Sequence, residues 1–454
     1  MATLVDPVTR TRQQNSETGW VNRLFTSQGS TPEYQELKFT LHRKLLDRIN
    51  LEALSSMSGE RVRAEVRTAV ARLVDEEKTP LSLVEKDRVI EEILDEVFGL
   101  GPLEPLLQDP TISDILVTTP HNVYVERAGK LYRTPVEFKD DSHLLRIIEK
   151  IVSRVGRRVD ESSPMVDARL PDGSRGNAVI PPVAVDGPLL SIRRFGRHAL
   201  KGEDLVAKFA LTEGMLELLK GCVKARLNIL ISGGTGSGKT TLLNAISSYI
   251  PEDERIVTIE DAAELRLQQT HVARMETRPA NVEGTGAIHI RQLVINALRM
   301  RPDRIIVGEV RAEEALDMLQ AMNTGHDGSL TTLHANTPRD GLGRLEVMVG
   351  MANSNMGIRS VRQQISSAVD LFVQTSRFSD GTRRITHITE VIGMEQDIIT
   401  LQDIFLFEKT GITEAGRVKG RFRATGIRPK FYDRLKTCGI NLPTQMFQTV
   451  VEIN

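Results

Sequence analysis

Residues 227–240 read Leu227-Asn-Ile-Leu-Ile-Ser232-Gly233-Gly-Thr-Gly-Ser-Gly-Lys239-Thr240. The first six positions form a short, mostly apolar run ending in a glycine cluster, the pattern of a buried strand. Gly233, Gly234, Thr235, Gly236, Ser237, Gly238, Lys239 and Thr240 complete the motif G-x-x-x-x-G-K-[ST]. From Thr241 to Ile250 the apolar residues Leu242, Leu243, Ala245 and Ile246 recur at helical spacing. Strand, glycine-rich turn and helix start in this order make a phosphate cradle. The glycines let backbone N–H groups turn inward, and the helix N-terminus adds partial positive charge. Lys239 is expected to reach the β- and γ-phosphates and Thr240 to ligate Mg²⁺, so ATP and Mg²⁺ are the expected cofactors.

Such a cradle does not by itself separate a motor from a small-molecule kinase or a GTPase. The later strands narrow the choice. Arg255-Ile-Val-Thr-Ile259 runs into Glu260 and Asp261, with Glu264 close behind. Arg304-Ile-Ile-Val307 ends in Gly308-Glu309-Val310-Arg311, and Ser329-Leu-Thr-Thr-Leu333 ends in His334-Ala335-Asn336. In an open α/β sheet, ligands bind beyond the carboxyl ends of the strands, so the three segments can converge on the phosphates. Hydrolysis needs an aligned water and neutralisation of developing charge. Glu309 is typed as the base. Glu260, Asp261 and Glu264 are typed to hold Mg²⁺ through water, and His334 to sense the γ-phosphate. Gly308 stands where the generic motif places a metal-binding aspartate.

Upstream, residues 1–35 are polar and turn-rich and read as a disordered tail. Over 36–100 the apolar period is helical, with stripes at Leu41, Leu45, Leu46 and Ile49, at Val62, Val66, Ala69, Val70 and Leu73, and at Val89, Ile90, Ile93, Leu94, Val97 and Phe98. A small bundle of about three helices is expected. Residues 101–195 read as mixed α/β, with strands at 112–117 and 123–126 and a helix over 142–155 opened by Ser142 as N-cap. Pro171-Asp172-Gly173 is a turn signal between Arg169 and Arg175. A linker over 196–204 leads to residues 205–454, where strand-like runs alternate with helical ones, as in a parallel sheet covered by helices.

A chain of 454 residues has room for two or three such domains. With 40% hydrophobic and 26% charged residues it has the balance of a soluble globular protein. A net charge of -1 gives no global reason to expect nucleic acid, and 4% aromatic content gives few stacking rings to track a strand. Its two cysteines, Cys222 and Cys438, build neither a metal motif nor a disulfide framework. No apolar run reaches the about 18–20 residues a membrane helix needs, and the N-terminus lacks a signal-peptide core. Work at a membrane is therefore expected from the cytoplasmic side.

The same segments resemble the type II/IV secretion ATPase superfamily, and within it the CpaF/tight-adherence type of pilus-assembly ATPase. Asn296-Ala-Leu-Arg-Met-Arg-Pro-Asp-Arg-Ile-Ile-Val-Gly-Glu-Val-Arg311 is similar to that family's Walker B region, in which Gly-Glu replaces Asp-Glu. Thr258-Ile-Glu260-Asp261-Ala-Ala-Glu264-Leu resembles its acidic box, and residues 321–336 its histidine box. Asp167-Ala-Arg169-Leu-Pro-Asp-Gly-Ser-Arg175 and Ser191-Ile-Arg193-Arg194-Phe195 are similar to its N-terminal domain signature. The fold implied is α/β, a RecA-like P-loop ATPase domain with a mixed α/β N-terminal domain and a preceding small helical bundle. The resemblance also implies a homohexamer holding ATP between the two domains, peripheral at the inner membrane and docked on platform proteins of a pilus or secretion machine. By that analogy Arg175 and Arg193 approach the γ-phosphate, Arg278 less so, while Arg194 is expected in a surface salt bridge and Arg169 stays unassigned. Ala312, Gly176 and Thr118-Thr119-Pro120 depart from the pattern and bear on subfamily. A type IV secretion ATPase shares every box and is the nearest alternative. A nucleic-acid motor on the same core and a module that binds ATP without hydrolysing it lie further off.

Overall fold

The computed structural model describes residues 32–48, 59–77, 79, 81–127, 129–194, 200–280, 284–353 and 355–453. The expected tail lies outside these up to residue 31, as do Ile49 of the first stripe, Phe195 of the N-terminal signature and residues 196–199 of the expected linker. Contacts divide the chain into two compact units, residues 1–195 and 196–454.

In the first unit, three helices carry the three stripes: α1 (Pro32–Arg48), α2 (Gly59–Glu76) and α3 (Leu83–Phe98). The first begins inside the segment expected to be tail. Their apolar faces meet, with Leu41, Leu45, Val66, Val70, Leu73, Val89, Ile93 and Leu94 buried together. Each such side chain contributes about 1.5–3 kcal/mol by leaving water. Ser82 opens α3 with a reciprocal cap, accepting from the Glu85 N–H while the Glu85 carboxylate accepts from the Ser82 N–H. After the short α4 (Glu104–Gln108), six strands form an antiparallel sheet in the order β3-β2-β1-β6-β5-β4. They are β1 (Asp114–Thr119), β2 (Asn122–Arg127), β3 (Lys130–Arg133), β4 (Met165–Arg169), β5 (Arg175–Val179) and β6 (Leu189–Arg193). Helix α5 (Asp141–Arg154) covers it with Leu144, Ile147, Ile148 and Ile151. Its N-cap is Asp140, whose carboxylate accepts from the His143 N–H at 2.8 Å, and not Ser142 as expected. An aspartate there also complements the helix dipole.

Bundle and sheet are tied together within this unit. Lys150 of α5 donates to the carbonyls of Glu96 (3.1 Å) and Val97 (2.8 Å), and Arg154 to that of Phe98 (3.1 Å). These are the open carbonyls at the end of α3, which need donors from outside the helix.

The second unit is built on a ten-stranded sheet of order β16-β15-β14-β13-β12-β7-β11-β10-β8-β9. β7 (Ile229–Gly233), β8 (Ile256–Glu260), β9 (Val272–Glu276), β10 (Arg304–Val307), β11 (Leu330–Leu333) and β12 (Leu371–Arg377) run parallel. Every residue of β7, β8, β10 and β11 is buried, as in a parallel sheet covered on both faces. One face packs on α6 (Gly202–Ala207), α7 (Glu213–Lys224) and α8 (Lys239–Ser247) through Leu205, Leu219, Cys222, Leu243 and Ile246. The other packs on α9 (Ile290–Ala297), α10 (Glu314–Asn323), α11 (Pro338–Ala352) and α12 (Ile358–Ala368) through Val294, Leu319, Leu345 and Ile365.

Beyond β12 the sheet departs from the expectation of an all-parallel arrangement. β13 (Arg383–Glu395), β14 (Ile398–Ile412), β15 (Val418–Ala424) and β16 (Val450–Ile453) add on as antiparallel neighbours. The turns explain the change of strand direction. Gly381 (φ 84°) and Gly416 (φ 77°) supply the left-handed conformations of tight hairpins, which leave no room for a crossover helix.

Candidate active site

Because β7, β8, β10 and β11 are parallel, their carboxyl ends share one edge of the sheet. Ser232 lies opposite Leu333, Val307 opposite Thr331, and Ile259 opposite Val307. Residues just past these ends are therefore neighbours, and three of the expected site residues meet there. The Lys239 ammonium donates to the carbonyls of Gly233 and Gly234, both at 3.1 Å, and lies 3.3 Å from Nε2 of His334. His334 Nε2 is in turn 2.8 Å from Oε1 of Glu309. That oxygen is buried and has no aligned hydrogen-bond donor. Burial, reinforced by Lys239, holds the His334 imidazole below its ordinary range, so at neutral pH the contact is polar and not ionic. Burial likewise lowers the Lys239 ammonium, with Glu309 opposing.

The loop has the shape its glycines permit. Gly236 (φ 69°) and Gly238 (φ 98°) are left-handed, and Gly238 stands at the N-cap of α8. A Cβ on Gly233 would come within 2.5 Å of the Thr375 carbonyl oxygen, so the loop lies flush against β12. The Ser237 and Thr375 hydroxyls meet at 2.9 Å. Thr235 and Gly236 are exposed, and Gly234, Thr240 and Thr241 are half-buried.

Glu260 explains the glycine in the Walker B position. A Cβ on Gly308 would stand 2.9 Å from Cγ of Glu260, so a side chain there would displace Glu260 from the space it fills. Its Oε2 accepts from the N–H groups of Glu264 (2.8 Å) and Leu265 (2.9 Å), while Oε1 is buried with no hydrogen-bond partner. Burial raises its carboxyl to about 7. An orphaned carboxylate oxygen suits Mg²⁺, as does a hydroxyl at the start of α8, because the ion takes one or two protein oxygens and keeps waters and phosphates for the rest. Thr240 and Glu260 fit that donor set. Asp261 fits less well, because it accepts from Arg311 at 2.9 Å. No cluster of three or more metal-ligating side chains exists among the described residues.

Arg311 was quoted in the sequence but given no role there. It donates to Oε2 of Glu309 through Nε (2.9 Å) and Nη2 (2.6 Å), a two-pronged clamp that fixes that carboxylate. Gln374 of β12 belongs to no motif. It accepts from the Ser232 hydroxyl and donates to the carbonyls of Ala335 (3.0 Å) and Asn336 (3.1 Å), fastening the histidine segment to the loop strand. A buried glutamine inside an apolar run is the one hint of it.

The expected arginines fare differently. Arg278 donates to the Gly286 carbonyl at 2.8 Å, beyond β9 and four strands from β7, so it is not brought to the phosphate loop. In the first unit, Arg175 pairs with Asp167 (3.4 Å) and Arg193 with Asp114 (3.1 Å). Arg169 faces Arg175 across the hairpin at Pro171-Asp172-Gly173. Arg194, expected in a surface salt bridge, donates to the carbonyls of Leu106, Asp109 and Ile112, closing the end of α4.

Comparison with known proteins gives the family. Residues 96–423 match the family described as "Type II/IV secretion system protein". A Mycobacterium tuberculosis protein named for conjugal transfer is 40% identical over 299 residues, covering 64% of this chain and 84% of that one. The type IV secretion system protein VirB11 of Brucella suis is 32% identical over 322 residues, covering 65% and 89%. The crystal structure of the Brucella suis VirB11 ATPase, in complex with sulphate, matches at 29% identity and a TM-score of 0.34, over 65% of this chain and 97% of that one. No helix among the described residues is long and apolar enough to cross a membrane. The chain belongs to the type II/IV secretion system protein family.

Proposed function

We propose that this chain is an ATPase that hydrolyses ATP to drive a secretion machine, working as a homohexamer on the cytoplasmic side of an inner-membrane platform. The observation that carries the reading is the contact of Lys239, His334 and Glu309 at the shared edge of the parallel sheet. Lys239 would bind the transferred phosphate, leaving the loop carbonyls it now contacts. Glu309, its second oxygen clamped by Arg311, would direct Oε1 at the attacking water and take its proton. Neutral His334, between ammonium and carboxylate, would report whether the γ-phosphate is present. Bound Mg²⁺ would neutralise charge on the phosphates, with Thr240 and Glu260 as its protein donors and Asp261 and Glu264 behind them. The γ-phosphate roles of Arg175 and Arg193 rest on family resemblance alone, and each would have to leave or share its aspartate.

The work done is proposed as type IV secretion, because the relatives carry names for conjugal transfer and type IV secretion. Assembly of tight-adherence pili is the second reading, supported by the motif resemblance at residues 258–265 and 296–336. A deletion strain that loses pili but keeps conjugation or effector export favours the second. Native mass, measured with and without a non-hydrolysable ATP analogue and Mg²⁺, tests the ring. A hexamer that forms or tightens with nucleotide is expected; a monomer or dimer under both conditions contradicts the motor architecture.

A further inference from the structure

The phosphate loop has a second support, from a part of the sheet that carries none of the family motifs. β12 and β13 form a hairpin in which Arg377 faces Arg383. Nε of Arg383 donates to the carbonyl of Gly236 at 2.8 Å, at the crown of the loop. Nη1 of Arg377 lies on the same residue, 3.3 Å from where a Cβ of Gly236 would stand. The hairpin is itself held firmly. Asp380 accepts from the Thr382 N–H (3.0 Å) and hydroxyl (2.6 Å) and, through its other oxygen, from the Val418 N–H of β15 (2.7 Å). Arg384 stacks over Phe407 at 4.7 Å and donates to the Val418 carbonyl at 3.1 Å.

Gly236 is left-handed, and its carbonyl orientation decides which way the adjoining amide N–H groups turn. A guanidinium that holds this carbonyl fixes the plane of the Gly236–Ser237 peptide, whose N–H donates to the Gly234 carbonyl at 3.3 Å and closes the turn that shapes the anion-binding loop. We propose that Arg383 is a positioning residue for nucleotide phosphates, acting through the Gly236 carbonyl from the antiparallel half of the sheet. The proposal rests on the nucleotide-binding reading above and adds a residue that no motif contains. Arg383 keeps the loop in its binding shape before nucleotide arrives, so its loss appears in affinity and not in the chemical step.

The test is ADP binding by titration calorimetry, together with KM and kcat for ATP, in wild type, Arg383→Ala, Arg383→Lys and Lys239→Ala. Arg383→Ala is expected to weaken ADP and raise KM about tenfold, the worth of one hydrogen bond from a charged donor. Its kcat should stay within about threefold, and Arg383→Lys, which keeps charge and donor, should recover most of the affinity. ADP affinity within about twofold of wild type in Arg383→Ala, loss of kcat at constant affinity, or no recovery with lysine would each overturn the proposal. If Arg383→Ala does not fold, Arg383→Gln carries the same expectation and the same refutation. Unchanged ADP binding in Lys239→Ala is a different failure, and it would overturn the nucleotide-site reading itself.

Discussion

The two halves of the ten-stranded sheet share β12 and little else. In the parallel half, from β12 to β9, all strands point one way, so every carboxyl end adds its next residue to one edge. Lys239, Glu260, Glu309 and His334 collect there. In the antiparallel half, from β13 to β16, strand ends alternate between edges and no such collection forms. That half instead buries Phe405, Phe407 and Phe422 on one face, and pairs Glu408 with Arg421 and Arg423 on the other. Strand direction, more than residue content, divides chemistry from scaffold.

The comparison is most sharply tested by exchanging effects between the halves. Glu309→Gln should lower kcat by roughly 10²–10³ with little change in ADP affinity or melting temperature, because the amide keeps the shape but not the basicity. Phe405→Ala should do the reverse. Losing a buried ring that packs near Phe447 at 6.3 Å should cost about 3–5 kcal/mol in urea unfolding and leave kcat per folded molecule nearly unchanged. A Phe405→Ala variant of wild-type stability, or one whose folded fraction loses turnover, would break the division.

Gln374→Ala should fall between these, since β12 belongs to both halves. It would leave the Ala335 and Asn336 carbonyls and the Ser232 hydroxyl without their bridge, so about 1–3 kcal/mol of stability and part of the turnover should go together. Loss of stability with full kcat would show that the glutamine does not align the histidine segment.

Glu260 gives a smaller effect with a definite sign. Burial lifts its carboxyl to about 7, so the folded protein keeps a proton that the unfolded chain loses above about pH 4.5. Between those values the native state binds more protons, and stability falls as pH rises. Removing the group should therefore flatten the profile: Glu260→Gln should lose about 1–3 kcal/mol less than wild type between about pH 5 and about pH 7.5. Parallel profiles would place the buried charge elsewhere. Smallest of all, Arg421→Ala breaks a pair on the open face of β14 and β15, and should leave the urea-unfolding midpoint nearly unchanged, because solvent screens an exposed pair.

The same division decides what could be read in the sequence. Residues 227–240 announce their strand, turn and helix because phosphate binding fixes both glycine positions and the lysine. Glu309 and His334 were legible as polar residues ending apolar runs. The antiparallel half had a signal, Ser379-Asp380-Gly381, but long alternating strands such as β13 and β14 mix buried and half-buried positions and look like parallel-sheet segments without their partners. Gln374 and Arg383 were invisible for another reason. Their partners, Ser232 and Gly236, lie about 140 residues away in sequence, and no spacing rule spans that distance. Asp140 displaced Ser142 as a cap because both residues can cap, and only the helix start decides which does.

The central claim is that the edge formed by Lys239, Glu309 and His334 hydrolyses ATP. Phosphate release from ATP with Mg²⁺, measured for wild type and Glu309→Gln alongside ADP binding by both, tests it most directly. Steady turnover by the wild type, a drop of at least about 100-fold in Glu309→Gln, and equal ADP affinity are predicted. Equal turnover by the two proteins would contradict the account, and so would wild-type protein that binds ADP and releases no phosphate.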